Sequence, residues 1–455
     1  MPPKSPRVNL ISLGCPKNLV DSERILAGFS LDGFTPVPSA AEADLVLVNT
    51  CGFIDSAKEE SIDTLLEAAR VRNARGKKPI VVAAGCLVQR YGNELAKELP
   101  EIDAFIGPGE YSKLPQLART LLRDRPGAAP IRVANRDDAP LGGPRLRLTP
   151  RHYAYLRIAE GCDNPCTFCS IPGIRGRFRS RPEDELANEA KELGASGAKE
   201  LILIAQDSTD YGLDRHGRRT LAELLRLLDA EAEGVEWIRL MYAYPAHLED
   251  SVLRAIADGK RLAKYVDVPI QHASTHVLRK MARRMTREKT EDLIARIRDT
   301  IPGVAIRTSI IVGSPGEREE DHQELLEFLR RVRIERLGTF SYSLEDSTPA
   351  AKMPGRVDPE TIERRLEEVM LVQQDVAFDA NEDEVGRIRR VLVDGPDAEE
   401  PEVFLARTES DAPEIDRVVR LDGAEWTPGE FAEVRITAAA GYDLEGERVP
   451  ATASR

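Results

Sequence analysis

Three cysteines stand within eight residues of one another, in a loop that follows a strand pattern. They are Cys162, Cys166 and Cys169, at spacings of four and three. Residues 153–158, just before them, alternate in the manner of a strand. Loops that follow the strands of α/β folds commonly carry ligand sites. Because thiolates hold iron–sulfur clusters, three on one short loop predict a cluster with one open iron, which can bind a substrate directly.

A structural zinc site is the main alternative for this loop. Such sites need four ligands from Cys and His. His152 is close in sequence, but it lies at the far end of the predicted strand, roughly 33 Å of extended chain away at ~3.3 Å per residue. The zinc site therefore fits the pattern less well. Three of the six cysteines cluster here, which also argues against free structural thiols.

The other three cysteines, Cys15, Cys51 and Cys86, each follow a short apolar run of the strand type. They are 36 and 35 residues apart, and helical patterns lie between them, so each spacing matches one βα repeat. Parallel strands end at the same edge of a sheet. The three cysteines are therefore predicted to converge in a second cluster site, again with one open iron. Three unrelated buried thiols are the alternative.

The chain divides into three predicted domains and belongs to the α/β class. Residues 7–123 alternate strands and helices, which indicates a parallel α/β domain. Residues 124–150 are rich in Pro, Arg, Gly and Asp and are predicted to be a linker. Residues 151–380 contain six strand–helix repeats, typical of a partial (β/α)6 barrel. Residues 383–450 carry short strand runs between turns, which predict a small all-β barrel.

Composition limits the possible environments and partners. The 455 residues are 42% hydrophobic and 31% charged, as in globular proteins, and no apolar run is long enough to cross a membrane. The N-terminus lacks a signal-peptide pattern and the cysteines are few, so we expect a cytoplasmic protein. A net charge of −13 argues against a general nucleic-acid-binding surface. Residues 385–455 hold 16 acidic and 9 basic side chains, so this domain has a net charge of −7.

Four arginines alternate after the cysteine loop, at positions 175, 177, 179 and 181. Guanidinium groups bind carboxylates in a bidentate manner, so these side chains can form an anion clamp. A solvated charged face explains the same alternation equally well. The sequence leaves both interpretations open.

The cysteine spacing, with the aromatic Phe168 before the last cysteine, resembles the signature of the radical S-adenosylmethionine enzymes. In that superfamily the three cysteines hold a catalytic 4Fe–4S cluster, and the open iron binds S-adenosylmethionine, which is split to give a 5′-deoxyadenosyl radical. The resemblance gives this role to Cys162, Cys166 and Cys169. It implies cofactor contacts for residues in the loop and at the ends of predicted barrel strands, namely Phe168, Gln206, Gln271, Arg307 and Gly313.

The order of the domains resembles that of the methylthiotransferases, in which three N-terminal cysteines precede a radical S-adenosylmethionine barrel and a terminal barrel of the TRAM type. This resemblance implies two 4Fe–4S clusters, the second held by Cys15, Cys51 and Cys86. It also implies S-adenosylmethionine as methyl donor and radical source, an electron donor and a sulfur source. We expect a monomer.

Within that family, some members modify tRNA adenosine and others modify a protein. Four segments resemble the branch that methylthiolates the β-carbon of an aspartate in ribosomal protein S12, namely residues 12–23, 205–212, 269–274 and 411–416. The acidic terminal domain agrees, because a tRNA-binding barrel should be basic, whereas an acidic one complements a basic ribosomal protein. The competing hypotheses are a tRNA adenosine methylthiotransferase and a non-enzymatic iron–sulfur scaffold, which would need fully ligated clusters.

Overall fold

The computed structural model describes residues 5–73, 76–125, 127–423 and 426–449. Residues 74–75, within the predicted N-terminal domain, therefore lie outside the described residues. The same holds for residue 126 of the predicted linker and for residues 424–425 and 450 of the predicted terminal barrel. No helix in the described part of the chain is long and apolar enough to cross a membrane.

The first cysteines lie on a six-stranded sheet with all strands parallel, in the order β2-β1-β3-β4-β5-β6. Its strands are β1 (Arg7–Ser12), β2 (Thr35–Pro36), β3 (Leu45–Thr50), β4 (Ile80–Gly85), β5 (Ala104–Ile106) and β6 (Ile131–Arg132). Its helices are α1 (Pro16–Leu31), α2 (Asp55–Arg70), α3 (Cys86–Glu98) and α4 (Leu114–Arg123). Every residue of β3 and β4 is buried, which explains their continuous apolar runs. The predicted parallel α/β domain is confirmed.

Two details of this sheet differ from the sequence expectation. Strand β6 pairs with Phe105 and Ile106, so part of the predicted linker extends the sheet. At two residues, β6 is too short to give a periodic signal. The apolar pattern predicts a helix over Asn93–Leu99, whereas helix α3 already begins at Cys86 and has non-helical dihedral angles at Tyr91.

The central unit is an open barrel of six parallel strands in the order β7-β10-β11-β12-β13-β14. Among the described residues β7 and β14 are not paired, so the sheet stays open there. Its strands are β7 (Tyr153–Arg157), β10 (Glu200–Ile204), β11 (Trp237–Leu240), β12 (Leu262–Asp267), β13 (Ala305–Val312) and β14 (Arg336–Ser341), with a small hairpin of β8 (Ala159–Glu160) and β9 (Arg179–Ser180) beside them. The predicted partial barrel is confirmed.

Helices alternate with these strands and cover the outside of the barrel. They are α5 (Ile171–Arg175), α6 (Glu183–Ala195), α7 (Leu213–His216), α8 (Leu221–Glu231), α9 (Asp250–Asp258), α10 (Thr275–Lys280), α11 (Arg287–Thr300), α12 (Glu319–Val332) and α13 (Pro359–Glu382). Inside, side chains such as Tyr155 and Tyr265 fill the lumen, together with Val20 of α1 and Ala412 of the terminal domain. The lumen is therefore a packed core.

The terminal domain is a closed five-stranded barrel, as predicted, in the order β15-β16-β17-β19-β18. Its strands are β15 (Ile388–Pro396), β16 (Val403–Thr408), β17 (Val419–Asp422), β18 (Phe431–Ala440) and β19 (Asp443–Arg448). Strand β19 was not predicted. Its sequence is mostly polar, and Leu444 is its one fully buried side chain, so it lacks an apolar alternation.

The terminal domain closes the end of the central barrel where the strands begin. The loop at residues 411–416 carries the contacts. Arg336, the first residue of β14, lies 2.7 Å from Asp411, and Tyr265 donates to Asp416 at 2.7 Å. Tyr153 donates to Glu414 at 3.0 Å. Ligands must therefore approach the barrel from its other end, where the strands finish.

At that other end, a buried ionic cluster joins the N-terminal domain to the barrel. Asp21 of α1 accepts hydrogen bonds from Arg157 and from Arg175, both at 2.6 Å. Arg157 also lies 2.7 Å from Glu160, which Arg175 approaches at 3.7 Å. Burial opposes ionisation of Asp21, but the two guanidinium groups outweigh it and keep its pKa below the usual value. The two domains are therefore held in one mutual orientation.

We expect Asp21→Asn to destabilise the apo-protein by about 3–5 kcal/mol, because it leaves buried guanidinium groups short of a counter-charge. Urea unfolding followed by circular dichroism measures the change. The matched control is Asp32→Asn at the end of the same helix, where an exposed ion pair with Arg119 predicts a loss of about 0–1 kcal/mol. Equal losses in the two variants would contradict the role given to the cluster.

Candidate active site

The first three cysteines converge because their strands are neighbours in register. Thr50 of β3 pairs with Gly85 of β4, and Cys51 and Cys86 are the next residues on each chain. Cys15 follows β1, whose Ser12 pairs with Asn49. At Gly14, with φ +81°, an added Cβ would lie 2.7 Å from the Cβ of Cys51. The Cys15 loop therefore lies directly against Cys51, and only glycine fits there.

Burial differs among these three thiols. Cys51 and Cys86 are buried, whereas Cys15 is exposed. Burial raises the pKa of the Cys86 thiol to about 12 and also raises the pKa of Cys51, and neighbouring thiols add to both shifts. Without a metal, such thiols stay protonated, and metal binding must displace their protons. The exposed Cys15 marks the side from which this site opens.

The second set, Cys162, Cys166 and Cys169, lies in a loop that the barrel holds in place. Gly161, at φ +79°, passes so close to the backbone of Arg177 that an added Cβ would lie 2.0 Å from its carbonyl oxygen. Thr167 donates from its amide to the Met281 carbonyl at 3.1 Å, and its own carbonyl accepts from Ala350 at 2.9 Å. The loop is therefore fixed at both its start and its middle.

Two side chains donate hydrogen bonds to sulfur in this loop. Asn164 donates from Nδ2 to Cys162 Sγ at 3.5 Å, and Arg283 donates from Nη1 to Cys166 Sγ at 3.5 Å. Arg283 is 8% exposed and stacks 4.1 Å from the Tyr244 ring centroid. It forms no ion pair with a carboxylate among the described residues, and its Nε, like the Tyr244 hydroxyl, is buried without a hydrogen bond.

These donors fit an anionic cluster. Burial raises the pKa of Cys162 and of Cys169 to about 12, so without a metal these two thiols stay neutral in a loop that also contacts a buried guanidinium. Three thiolates carrying an iron–sulfur cluster would supply the negatively charged partner that Arg283 lacks among the described residues. The residues present thus match the group that the cysteine spacing predicted. Phe168 is half-buried between the second and third cysteines.

Residues next to each cysteine site reach across the domain boundary. Lys17, two residues after Cys15, places its ammonium group 3.1 Å from the ring centroid of Tyr242, which follows barrel strand β11. Arg175, which follows the second cysteine loop, donates to Asn18 at 3.2 Å. Burial lowers the pKa of Arg175, but the nearby Cys86 and Asp21 outweigh burial and raise the pKa above its usual value. Side chains from both domains therefore line the space between the sites.

Of the residues predicted to contact a cofactor, Gln206, Gln271 and Gly313 follow the ends of β10, β12 and β13, whereas Arg307 is the third residue of β13. Gln206 donates to Glu160 at 2.7 Å, and its buried oxygen has no hydrogen-bond partner. Gln271 has φ +73°, a strained conformation for a non-glycine residue. Gly313 donates its amide to Glu317 at 2.7 Å. Arg307 lies 3.5 Å from both Asp267 and Asp416, so carboxylates already engage its guanidinium.

The alternating arginines divide between the two interpretations. Arg175 and Arg181 are 2% exposed, and they pair with Asp21 and Glu189 respectively. Arg177 has 83% of its side chain exposed. Arg179 is half-buried and donates to the Ala139 carbonyl at 3.2 Å, so the four arginines form neither a single clamp nor a single solvated face.

Sequence reasoning missed Lys17, Asp21 and Arg283. Their partners lie up to 225 residues away in the chain (242 − 17, for Lys17 and Tyr242), so no local pattern shows them. Lys17 did carry one signal. It stands in the first turn of α1, where the helix dipole disfavours a cation and no acidic residue accompanies it.

Three side chains outside the cysteine loop, those of Asp207, Asp210 and His247, support it through Asn164. Asp207 accepts from Asn164 at 2.7 Å, and His247 Nδ1 lies 3.6 Å from Asp207 and 3.0 Å from Asp210. Burial lowers the pKa of His247, but the two carboxylates outweigh it and raise the pKa to about 9. The protonated imidazole thus lies between the two carboxylates beneath Asn164 and balances one negative charge, while Arg219 lies 2.9 Å from Asp210.

Because the folded pKa of His247 is raised above the unfolded value of about 6.5, its contribution to stability is full below pH 6.5. The contribution is lost as pH rises through about 9. We expect the difference in Tm between the apo-protein and a His247→Gln variant to shrink over this range in calorimetric scans. A constant difference from pH 6 to pH 9 would contradict the charged histidine. His216→Gln, at a more exposed imidazole, is the control.

Three family models match successive parts of the chain. Residues 7–107 match the uncharacterized protein family UPF0004, residues 156–329 match the radical SAM superfamily, and residues 385–449 match the TRAM domain. With the three-cysteine loop at the mouth of a parallel barrel, the second match defines the protein as a radical S-adenosylmethionine enzyme. That class uses S-adenosylmethionine and a 4Fe–4S cluster.

Relatives of similar length carry the classification further. Ribosomal protein uS12 methylthiotransferases RimO from Desulforamulus reducens and Heliobacterium modesticaldum are each 43% identical over 97% of this chain, covering 99% and 95% of the relative. The enzyme of the same name from Geotalea uraniireducens is 43% identical over 98% of both chains. The chain belongs to this family of ribosomal protein uS12 methylthiotransferases.

Solved structures share the fold at low sequence identity. The radical S-adenosylmethionine methyltransferase TsrM from Kitasatospora setae, with tryptophan and a cofactor analogue bound, has a TM-score of 0.56 at 15% identity, over 83% of this chain and 90% of that one. The cobalamin-dependent radical enzyme OxsB has a TM-score of 0.53 at 13% identity, over 82% of this chain and 56% of its own. These similarities support the architecture alone.

We expect Gly161→Ala to reduce iron binding at the second cysteine loop, because the added methyl group meets a carbonyl oxygen and the residue has a positive φ. Iron and sulfide content after anaerobic reconstitution should fall toward half of the wild-type value. Gly173→Ala is the matched control, since an added Cβ there meets open space. A full iron content in Gly161→Ala would show that the loop tolerates the shift.

Proposed function

We propose that this enzyme attaches a methylthio group to the β-carbon of an aspartate in ribosomal protein S12. One observation carries the proposal: the N-terminal domain and the barrel each hold a three-cysteine site, and residues next to each site contact the other domain. Chemistry that inserts sulfur at an unactivated carbon needs a radical source and a sulfur source close together. The family membership supplies the reaction type, and the pair of sites supports it.

We infer that both sites hold a 4Fe–4S cluster. Cys162, Cys166 and Cys169 hold the one that binds S-adenosylmethionine, while Cys15, Cys51 and Cys86 hold the second. Three thiols per site, with no other cysteine in the chain, leave one iron open in each. When bound, the clusters and S-adenosylmethionine supply the cleavage of a C–H bond and the sulfur and methyl group that replace the hydrogen.

The chain's own residues hold and insulate this arrangement. Asn164 and Arg283 donate hydrogen bonds toward the sulfur atoms of the cysteine loop. Gln206, whose buried oxygen lacks a partner, and Gln271, in its strained backbone, are offered together with Phe168, Arg307 and Gly313 as cofactor contacts. The packed lumen below keeps water from reaching the site through the barrel.

The acidic terminal domain supports a protein substrate. Ribosomal proteins that bind RNA are basic, and a domain of net charge −7 attracts such a partner while repelling tRNA phosphates. The reaction also requires an electron donor and a source of sulfur. A ribosomal substrate and oxygen-sensitive clusters favour the cytoplasm as the location, and the enzyme is proposed to act as a monomer.

A competition experiment tests the substrate. Anaerobic enzyme with both clusters rebuilt is given a reductant, sulfide, S-adenosylmethionine, purified S12 and bulk tRNA. Mass spectrometry should find the methylthio mass on an aspartate of S12. The same mass on adenosine would reject the protein substrate in favour of tRNA. Cleavage of S-adenosylmethionine without either product would leave the radical chemistry but reject both substrates.

Alanine variants separate the two cysteine sites. We expect Cys162→Ala, Cys166→Ala or Cys169→Ala to abolish 5′-deoxyadenosine production, because the cofactor loses its iron. We expect Cys15→Ala, Cys51→Ala or Cys86→Ala to keep that production but to make no methylthio product. Chromatography with mass spectrometry quantifies both compounds. Retained cleavage in the first group, or retained product in the second, would contradict the assignment of the sites.

A further inference from the structure

Lys17 is a buried cation that the protein itself does not neutralise. The residue is 8% exposed, and its ammonium group makes neither an ion pair nor a hydrogen bond with any described residue. It lies instead over the face of the Tyr242 ring, 3.1 Å from the centroid. A buried charge normally requires a partner of opposite sign, so this ammonium is positioned for an anion that the chain does not supply.

The surroundings of Lys17 also favour an anionic partner. It occupies the first turn of α1, where the helix dipole is positive, no side chain caps the helix and the first turn has no acidic residue. The nearest carboxylates are engaged elsewhere. Asp267 accepts from the Tyr242 amide at 2.9 Å and faces Arg307, while Glu160 accepts from Arg157 and Gln206.

The position of Lys17 indicates which kind of anion binds its ammonium group. The residue follows Cys15 of one cysteine site by two positions, yet its ammonium makes no hydrogen bond to the Cys15 thiol within the described structure. It extends instead to Tyr242 at the mouth of the barrel. It therefore lies between the site that would hold sulfur and the site that would generate the radical. The reacting carbon of a substrate must lie in the same space.

Tyr242 is held rigidly for this contact. Its φ of +62° is strained for a tyrosine, and the carboxylate of Asp267 fixes its amide. Strain of this kind persists only where surrounding contacts enforce it. The ring is thus held in a fixed position against the ammonium, where it contributes a cation–π contact but no negative charge.

We propose that Lys17 binds the carboxylate of the aspartate that is modified, and so selects an acidic side chain as substrate. The inference rests on the proposed function and extends it to one residue. In this geometry the carboxylate pairs with the Lys17 ammonium, and the adjacent β-carbon lies between the two cysteine sites. An asparagine of the same shape lacks the charge for this pairing.

A double-mutant cycle between enzyme and substrate tests the pairing. The enzymes are the reconstituted wild type and Lys17→Met, and the substrates are S12 and S12 with the target aspartate replaced by asparagine. Affinities are measured by fluorescence anisotropy without reductant, so that no turnover occurs. We expect the wild type to bind the aspartate form about 10- to 100-fold more tightly, and Lys17→Met to bind both forms equally.

Controls separate binding from cluster assembly. Lys97→Met removes an exposed lysine of the same domain and should keep the wild-type preference. Lys17→Arg keeps the charge and should retain part of the preference. Iron content and electron paramagnetic resonance spectra should match the wild type in all variants. Loss of iron from Lys17→Met and Lys17→Arg alike would mean that Lys17 serves the cluster, and would overturn the proposal.

The remaining outcomes also decide the question. An undiminished preference for the aspartate form in Lys17→Met would overturn the role of Lys17, while methylthio product from the wild type would still uphold the proposed function. Absence of that product from wild-type enzyme and S12 would reject the proposed function itself. Equal binding of both S12 forms by the wild type would show that the charge of the substrate side chain is not recognised.

Discussion

The arrangement of the two cysteine sites depends on one buried ionic cluster. Asp21 enters it from the N-terminal domain, while Arg157, Arg175 and Glu160 enter from the barrel. Buried ions are costly unless every partner is in place, so alternative dockings of the two domains would leave charges unpaired. Since Arg157 and Glu160 lie just before the radical loop, the cluster fixes that loop relative to α1 and its Cys15.

Helix α1 carries residues with several separate roles in, or just before, its first two turns. Cys15 precedes the helix, Lys17 reaches the barrel mouth, Val20 packs into the lumen and Asp21 enters the ionic cluster. These residues follow helical spacing on a side that faces the barrel. Movement of α1 would therefore disturb the first cysteine site, the lumen and the domain contact together. The terminal domain closes the lumen from the opposite end through Ala412, which restricts chemistry to the strand ends.

How far the sequence predicts this structure depends on whether the signal is local. Cys51 and Cys86 follow apolar runs, so their convergence was predictable from parallel strands alone, and the register confirms the expected neighbours. Strand β19 was missed because a polar strand is recognised by its partners rather than by its own pattern. Arg283 reaches Cys166 across 117 residues, a contact that tertiary packing alone creates. The position of the cysteines was thus more predictable than the side chains that surround them.

Each cysteine site lies beside a buried cation that has no carboxylate partner among the described residues. No local sequence pattern shows this shared feature. Arg283 donates directly to Cys166, so its charge serves the sulfur ligands and favours added negative charge at that site. Lys17 lies beside Cys15 in sequence but directs its ammonium to Tyr242 instead. Arg283 therefore gains an anionic partner when a cluster is in place, whereas Lys17 contacts an aromatic ring rather than a sulfur ligand. That difference separates a residue that supports the cofactor from one that selects the substrate.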